Sequence, residues 1–364
     1  MTRDPGSASW LQLALTPGIS ANDLRELLKR FGLPEAVLAE SRARLAGILS
    51  PGALSALDGS EVARAVERSL RWLEAPGHGI ITLAEPQYPA LLLAIPDPPP
   101  LVYVLGQVPL LANMSLAIVG SRNATAQGVR DAERFARVFS EAGLTIVSGL
   151  AQGIDAAAHR GGLCGRGSTI AVLGTGIDVV YPKANSSLAE RIASEGLLLS
   201  EFPLSTPPVA HNFPRRNRLI SGLSRGCLVV EAAAASGSLI TARSAADQGR
   251  EVFAIPGSIH SPLSKGCHAL IKAGAKLVES AEDVLAEFAG FRLSGSASTA
   301  NPSPMAAPAE AEPLLAHMGT DPVDVDSLCA LAGRSAKDIA ADLLRLELAG
   351  RVAALPGGRY QRLD

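Results

Sequence analysis

Leu116-Ala-Ile-Val-Gly-Ser-Arg122 and Leu144-Thr-Ile-Val-Ser-Gly149 are two short apolar runs, separated by an amphipathic segment at residues 127–142. Both runs are continuously apolar and do not alternate with polar residues. A strand of this kind is buried on both faces, which is typical of parallel sheets covered by helices. The stretch therefore predicts a strand–helix–strand unit.

The same alternation continues along the chain. Further apolar runs occur at residues 169–173, 197–201, 227–231, 251–255 and 276–278, and helical segments at 187–194, 238–248 and 266–273. Strands that alternate with helices indicate an α/β fold. We expect a Rossmann-like, doubly wound and mostly parallel sheet.

The flanking segments predict a division into domains. Residues 1–75 show helical periodicity, with a Leu15-Thr-Pro-Gly-Ile19 turn that is similar to helix-hairpin-helix (SAM-like) modules. Residues 76–114 read as irregular chain with one strand at 101–105, so that the Rossmann-like domain spans 76–290. Residues 291–312 are rich in Ser, Ala and Pro and predict a flexible linker. Residues 313–364 show the helix, turn, helix and hairpin of a winged-helix domain.

Composition limits the function. The 364 residues carry 33 Lys and Arg against 35 Asp and Glu, so the net charge of −2 provides no global attraction to nucleic acid. The four cysteines have no CxxC spacing, so we expect neither disulfides nor a metal site. We find no leader or membrane-spanning segment and expect a cytoplasmic protein without a membrane partner.

In an open parallel sheet, ligands bind beyond the carboxyl ends of the strands. Five loops of this chain, among them residues 213–218, present glycines, hydroxyls or cations there, and glycine-rich turns at helix N-termini are suited to anions. The candidate phosphate-contacting residues are Gly120, Ser121, Arg122, Gly149, Gly153, Lys183, Asn185, Arg215, Arg216, Asn217, Arg218, Ser236, Gly237 and Ser238. Asp155 and His159, four residues apart, are interpreted as a capping or packing pair.

The type of ligand follows from motifs and charge. Gly174-Thr-Gly-Ile-Asp-Val179 lacks the third glycine of GxGxxG, and no GxxxxGK[ST] loop occurs, which disfavours a nucleotide cofactor. Residues 115–290 hold 17 Lys and Arg against 15 Asp and Glu, an excess too small for a broad duplex-binding face. A pocket that grips a few consecutive phosphates of a single strand fits better.

These motifs closely resemble the DNA-processing protein A (DprA/Smf) family over residues 80–285. The resemblance rests on Gly120-Ser-Arg122, on Ser148-Gly-Leu-Ala-Gln-Gly-Ile-Asp-Ala-Ala-Ala-His159, on Tyr181-Pro-Lys183, on Phe213-Pro-Arg-Arg-Asn-Arg218 and on Ser236-Gly-Ser-Leu-Ile-Thr-Ala-Arg243. It implies a homodimer that binds incoming single-stranded DNA in natural transformation, protects it and helps to load the recombinase RecA.

The resemblance also implies roles for particular residues. Arg122 and Lys183 are implied as the principal contacts to the DNA backbone, with Arg216-Asn217-Arg218 on the same side. Dimer contacts are implied around residues 266–274. The interface residues that we predict are His268, Leu270, Ile271 and Leu277.

Two other functions remain as alternatives. Related Rossmann-like enzymes that cleave nucleoside monophosphates carry a catalytic glutamate in a glycine-rich loop, but the comparable segment here lacks it and has Arg243 close to that place. We therefore expect no catalysis. A winged helix that reads duplex DNA is disfavoured because its second helix mixes Lys337 and Arg345 with Asp338, Asp342 and Glu347.

Overall fold

The computed structural model describes residues 5–288, 314–319, 322–355 and 357–363. The predicted linker at 291–312 lies outside the described residues.

The N-terminal segment is helical, as its periodicity predicts. Its helices are α1 (Pro5–Leu15), α2 (Ala21–Phe31), α3 (Pro34–Leu38), α4 (Arg42–Leu45), α5 (Pro51–Ala56) and α6 (Ser60–Trp72). Ser20 starts α2 with a capping box, in which its hydroxyl and the Asp23 side chain satisfy each other's backbone amides. Leu13, Leu24 and Leu27 are fully or almost fully buried in the core of this unit.

The centre of the molecule is a mixed sheet, and the α/β class is confirmed. Its strands are β1 (His78–Thr82), β2 (Leu101–Gly106), β3 (Ser115–Val119), β4 (Thr145–Ser148), β5 (Thr169–Val172), β6 (Leu197–Ser200), β7 (Gly226–Val229), β8 (Glu251–Ala254) and β9 (Lys276–Leu277). Across the described part of the sheet the order is β1-β2-β6-β5-β4-β3-β7-β8-β9. Strands β3 to β9 pair in parallel, whereas β1 and β2 are antiparallel to their neighbours.

Helices cover both faces of this sheet. They are α7 (Ala90–Leu93), α8 (Ala126–Ala142), α9 (Ile154–Gly162), α10 (Ser186–Glu195), α11 (Asn212–Leu223), α12 (Ser238–Asp247), α13 (Lys265–Lys272) and α14 (Ala281–Leu285). One apolar cluster joins Phe139 of α8 to Ile118 of β3, and a separate one joins Leu219 of α11 to Ala117 of the same strand. Alternate residues of β3 thus face opposite helical layers, as a doubly wound sheet requires.

Two expectations for the central domain are wrong. Residues 76–114 contain β1 as well as β2. The β1 sequence, His78-Gly-Ile-Ile-Thr82, has only two apolar residues, a run too short to predict a strand. The segment at 213–218 is not a loop but the first part of α11. Pro214 did not break the helix because it lies in the first turn, where its missing N–H costs nothing.

The C-terminal unit has the winged-helix arrangement. It consists of β10 (Val323–Asp324), α15 (Val325–Ala332), α16 (Ala336–Leu348), β11 (Val352–Leu355) and β12 (Arg359–Arg362). The strands form a small antiparallel sheet in the order β10-β12-β11. Leu328, Ile339 and Leu343 fill the core between the helices and this sheet.

Candidate functional site

The candidate site lies where the direction of strand order reverses. The chain runs from β3 outward through β4, β5 and β6, and then returns to β7 on the other side of β3. The loops that leave β3 and β7 therefore diverge and open a crevice beyond the carboxyl ends of the two strands. A cavity of about 780 Å³ occupies this position.

The cavity brings together most of the predicted segments. Of the candidate residues, those that line this cavity are Gly120, Ser121, Arg122, Arg216, Asn217, Ser236, Gly237 and Ser238. Gly149 lines a smaller adjoining cavity of about 80 Å³, together with Arg122 and Arg216. This smaller cavity has two guanidinium groups and no carboxylate in its lining, so its charge is positive.

Arg215 and Arg218 line neither of these two cavities. The position of Arg218 corrects the expectation that Arg216-Asn217-Arg218 lie on the same side. Arg215 and Arg218 both form ion pairs with Glu201, which is almost completely buried. Arg218 also lies near Asp97, in a contact with the N-terminal part of the chain. Because consecutive helix residues point about 100° apart, α11 directs residues 216 and 217 to the cavity and residues 215 and 218 away from it.

Arg216 is a buried cation beneath the cavity floor. It is 4% exposed, and its guanidinium donates to the carbonyls of Gly149, at 2.6 Å, and Val172. Burial lowers the pKa of Arg216 to about 10, Asp155 opposes the shift and Arg122 adds to it. Arg216 therefore stays charged at neutral pH and holds the loop after β4 in place.

Asp155 and His159 complete this cluster and have the capping role expected for them. The Asp155 carboxylate accepts hydrogen bonds from the amides of Gly149 and Ala151, at 3.1 and 3.4 Å. His159 Nε2 accepts from the amide of Leu150 at 3.2 Å. Burial raises the pKa of Asp155 and lowers that of His159 to about 3. The loop amides at the start of α9, predicted to meet a phosphate, are thus already bonded to the protein's own side chains.

A carboxylate of the protein also occupies the N-terminus of α8. The carboxylate of Glu231, which follows β7, accepts from the amide and hydroxyl of Thr125 at 2.9 and 2.6 Å. Burial raises the pKa of Glu231. The backbone of Glu231 also accepts from the amide of Ser121 at 2.7 Å, which fixes the Gly120-Ser-Arg122 loop. In dinucleotide-binding sheets this helix end holds the pyrophosphate, so an internal carboxylate excludes that mode here.

Among the described residues, no carboxylate is bonded to the start of α12. Its first turn contains no acidic residue, and Ser236 and Ser238 share a hydrogen bond of 2.7 Å between their hydroxyls. Both serines and Gly237 line the large cavity. This helix end therefore presents its dipole and two hydroxyls to the cavity.

Two aromatic residues belong to the site although they are absent from the predicted set. The guanidinium of Arg122 lies 5.7 Å from the centre of the Phe213 ring, and the rings of Phe213 and Tyr181 are 5.6 Å apart. Tyr181 is 44% exposed, so its ring is accessible to a ligand. The sequence contains a signal for both, because each residue directly precedes a proline in a quoted motif.

The remaining predicted residues lie around the cavities. Lys183 is exposed on the short turn that follows Tyr181 and Pro182, two residues of the smaller cavity's lining. Asn185 uses its side-chain amide to bond the carbonyls of Leu150 and Ala151, so it joins two loops. Gly153 has a φ of +74° at the start of α9, a conformation that favours glycine.

The predicted interface residues lie at one end of the sheet. Leu277 of the edge strand β9 is 46% exposed, and Leu270 and Ile271 of α13 pack partly buried against the core. His268 Nε2 hydrogen-bonds the carbonyl of Gly257 at 2.9 Å. The role of these residues in a dimer interface stays a prediction.

Within the described residues, no group of three or more His, Cys, Asp or Glu side chains is arranged to hold a metal ion. Among the same residues no helix combines the length and apolarity needed to cross a membrane.

The fold and site define a Rossmann-like domain with a partly basic cavity at its switch point and with the usual pyrophosphate position occupied by a carboxylate. The family model of DNA recombination-mediator protein A matches residues 79–289, and that of the DprA winged helix domain matches residues 298–358. The chain belongs to the DNA-processing protein A (DprA/Smf) family, which confirms the resemblance found in the sequence.

Relatives in several bacteria support this assignment. Protein Smf of Escherichia coli is 45% identical over 306 residues, which are 82% of this chain and 81% of the relative. The X-ray structure of DNA processing protein A from Streptococcus pneumoniae covers 80% of this chain and 99% of its own, with 38% identity and a TM-score of 0.66. A Helicobacter pylori DNA processing protein A, described for its single-stranded DNA binding mode, covers 57% and 93%, with 29% identity and a TM-score of 0.52.

Proposed function

We propose that this protein binds single-stranded DNA in the cavity between the loops after β3 and β7. The observation that carries the proposal is the contrast between helix ends. Amides at the start of α8 and in the loop before α9 are bonded to Glu231 and Asp155, whereas Arg122 and the start of α12 face the cavity with no carboxylate bonded to them in the described structure. The cavity thus offers cation and donor groups without a preformed dinucleotide cradle.

The small number of cations at the cavities favours single-stranded over duplex DNA. The cations at the cavities are Arg122, the buried Arg216 and the exposed Lys183 nearby. So few cations suit a few consecutive phosphates and not the long backbone of a duplex. Tyr181 and Phe213 beside them offer faces to unpaired bases, which a duplex keeps stacked inside.

Family membership supports a wider role. We infer that the protein is cytoplasmic, forms a homodimer through the β9 edge, protects incoming single strands during natural transformation and helps to load RecA. The relative described as a single-stranded DNA binder supports the first step of this role.

The alternatives have less support. A nucleotide-cleaving enzyme needs an accessible carboxylate in the cavity, but Asp155, the acidic residue in the cavity lining, already caps backbone amides. On α16 of the winged helix, Asp342 is paired with Arg345 and Arg334, and Leu344 and Leu348 are exposed. Such a face is poorly suited to the phosphates of a duplex.

Salt titrations of binding to a single strand and to a duplex of the same sequence test the proposal. We expect tighter binding to the single strand, with an affinity that falls as salt rises. Equal affinity for both forms would contradict the proposed function.

A further inference from the structure

A second cavity opens beside the candidate site, between the Rossmann-like domain and the winged helix. Its volume is about 630 Å³, within the range of pockets that hold small ligands. The winged-helix side contributes Pro322, Leu355 and Arg359. The other side contributes Asn123, Ala124 and Thr125, and residues 260–263. We call this cavity the interdomain cleft.

The interdomain cleft adjoins the candidate site. Asn123 and Leu263 belong to the linings of both. Asn123 is exposed and directly follows Arg122 in the loop after β3. A DNA single strand bound at Arg122 therefore needs to pass only Asn123 to enter the cleft.

The winged helix is held beside the cleft by the same helix that follows the Arg122 loop. Arg130 of α8 donates to the carbonyls of Leu363 and Gly350, at 3.0 and 3.2 Å. The amide of Gln127 donates to the side chain of Gln361 at 3.4 Å. One wall of the cleft and the Arg122 loop are thus positioned by one rigid element.

The chemistry of the cleft suits nucleotides that lack a partner strand. Its described lining contains no Asp or Glu, while Arg359 and His260 are exposed in it. Pro262, Leu263, Pro322 and Leu355 supply apolar surface. A cation next to apolar walls matches a phosphate next to an unpaired base.

We propose that the interdomain cleft binds the nucleotides that continue from the Arg122 cavity, and that Arg359 neutralises one of their phosphates. The inference rests on the proposed function, because the same single strand must occupy the Arg122 cavity. The winged helix then contacts DNA through its hairpin, from β11 to β12, and not through α16.

The test measures the affinity of the full chain for oligothymidylates of increasing length, for the unsubstituted protein, Arg359→Ala and Lys337→Ala. Lys337 is an exposed cation of the same domain outside the cleft, so it is the matched control. The shortest strands that bind should bind all three proteins equally. Longer strands should gain affinity with the unsubstituted protein and the control, whereas Arg359→Ala should lose that gain and about 0.7 of the salt slope.

A second measurement does not depend on a substitution. Oligothymidylates that carry a photoreactive thymidine analogue should cross-link to residues 352–362 when long and not when short. Equal behaviour of Arg359→Ala and Lys337→Ala at every length, without such cross-links, would overturn the proposal and leave a protein partner as the occupant to seek. Arg122→Ala separates the two ideas, because it should weaken binding at all lengths, and its failure to do so contradicts the proposed function itself.

Discussion

Asp155 and Arg216 hold Gly149 from its two sides: the carboxylate accepts the Gly149 amide at 3.1 Å, and the guanidinium donates to the Gly149 carbonyl at 2.6 Å. Both side chains are buried, and the charge of each opposes the pKa shift that burial causes in the other. A β-carbon on Gly149 would lie 2.6 Å from the guanidinium carbon of Arg216, so only glycine permits this approach. The floor of the candidate site is therefore set by a buried charge pair acting through one residue.

This arrangement predicts strong coupling between the two residues. Arg216→Met should lower the free energy of unfolding by at least about 3 kcal/mol, because it leaves the Asp155 charge buried without its counterion. Asp155→Asn should likewise cost about 3 kcal/mol, because it leaves the Arg216 charge buried without its counterion and weakens the amide bonds. Denaturant unfolding of both variants and of the double variant completes a double-mutant cycle. Additive losses would show that the two side chains act independently.

The proposed DNA contacts predict a change in salt dependence. Arg122→Ala or Lys183→Ala should each weaken single-strand binding for all sequences and reduce the salt slope by about 0.7, because each removes one phosphate contact. Fluorescence titration across a range of salt concentrations measures both quantities. Arg64→Ala, an exposed cation of α6, is the control. If the double variant of residues 122 and 183 keeps the original affinity and slope, the site is misplaced.

His159 predicts a particular pH dependence of stability. Its pKa in the folded protein is about 3, against an ordinary value of 6.5, because burial disfavours the charged ring. As pH falls, the ring is therefore protonated in the unfolded chain before it is protonated in the folded protein. The free energy of unfolding consequently decreases from about pH 6.5 towards pH 3. The loss approaches about 1.4 kcal/mol per pH unit.

Urea unfolding of the unsubstituted protein and His159→Gln between pH 7 and pH 5 measures this effect. The variant should be less stable at pH 7, because it alters the buried hydrogen bonds to Leu150 and Thr169, but its stability should fall less steeply towards pH 5. Parallel slopes for the two proteins would assign the acid sensitivity to other groups.

Gly153 predicts a local backbone effect. Gly153→Ala should destabilise the fold and weaken single-strand binding, since a β-carbon there meets the carbonyls of Ser121 and Arg122 at a φ of +74°. Gly52→Ala on the N-terminal helical unit is the matched control, because the only neighbour of its β-carbon would be the Ser50 hydroxyl at 4.0 Å. Thermal unfolding and DNA titration of the two variants compare them directly. Equal stability and equal DNA affinity of Gly153→Ala and the control would contradict a steric role of Gly153 beside the Gly-Ser-Arg loop.

The edge strand predicts an oligomer. Leu277→Arg should give a folded monomer in size-exclusion chromatography with light scattering, because a charge at an exposed apolar edge opposes its burial by a second copy. Leu33→Arg is the control, since Leu33 is 57% exposed on the N-terminal helical unit. A dimer that persists in Leu277→Arg would place the interface elsewhere.

The sequence by itself determined the layered α/β fold. Buried parallel strands are continuous apolar runs, so the ends of β3 to β9 could be located to within two residues. The amphipathic helices between them followed from periodicity. The glycine, hydroxyl and cation motifs also identified the family and the end of the sheet that carries the site. These signals are local, because a few neighbouring residues contain them.

Only the tertiary structure decided which candidates face the cavity. The α11 helix separates Arg216 and Asn217 from Arg215 and Arg218, although all four are adjacent in the chain. Likewise, Glu231 meets Thr125 across 106 positions and fills a helix end that local sequence presents as available. Hydrogen bonds and burial between distant segments select the side chains that remain accessible, and no local pattern records those pairings.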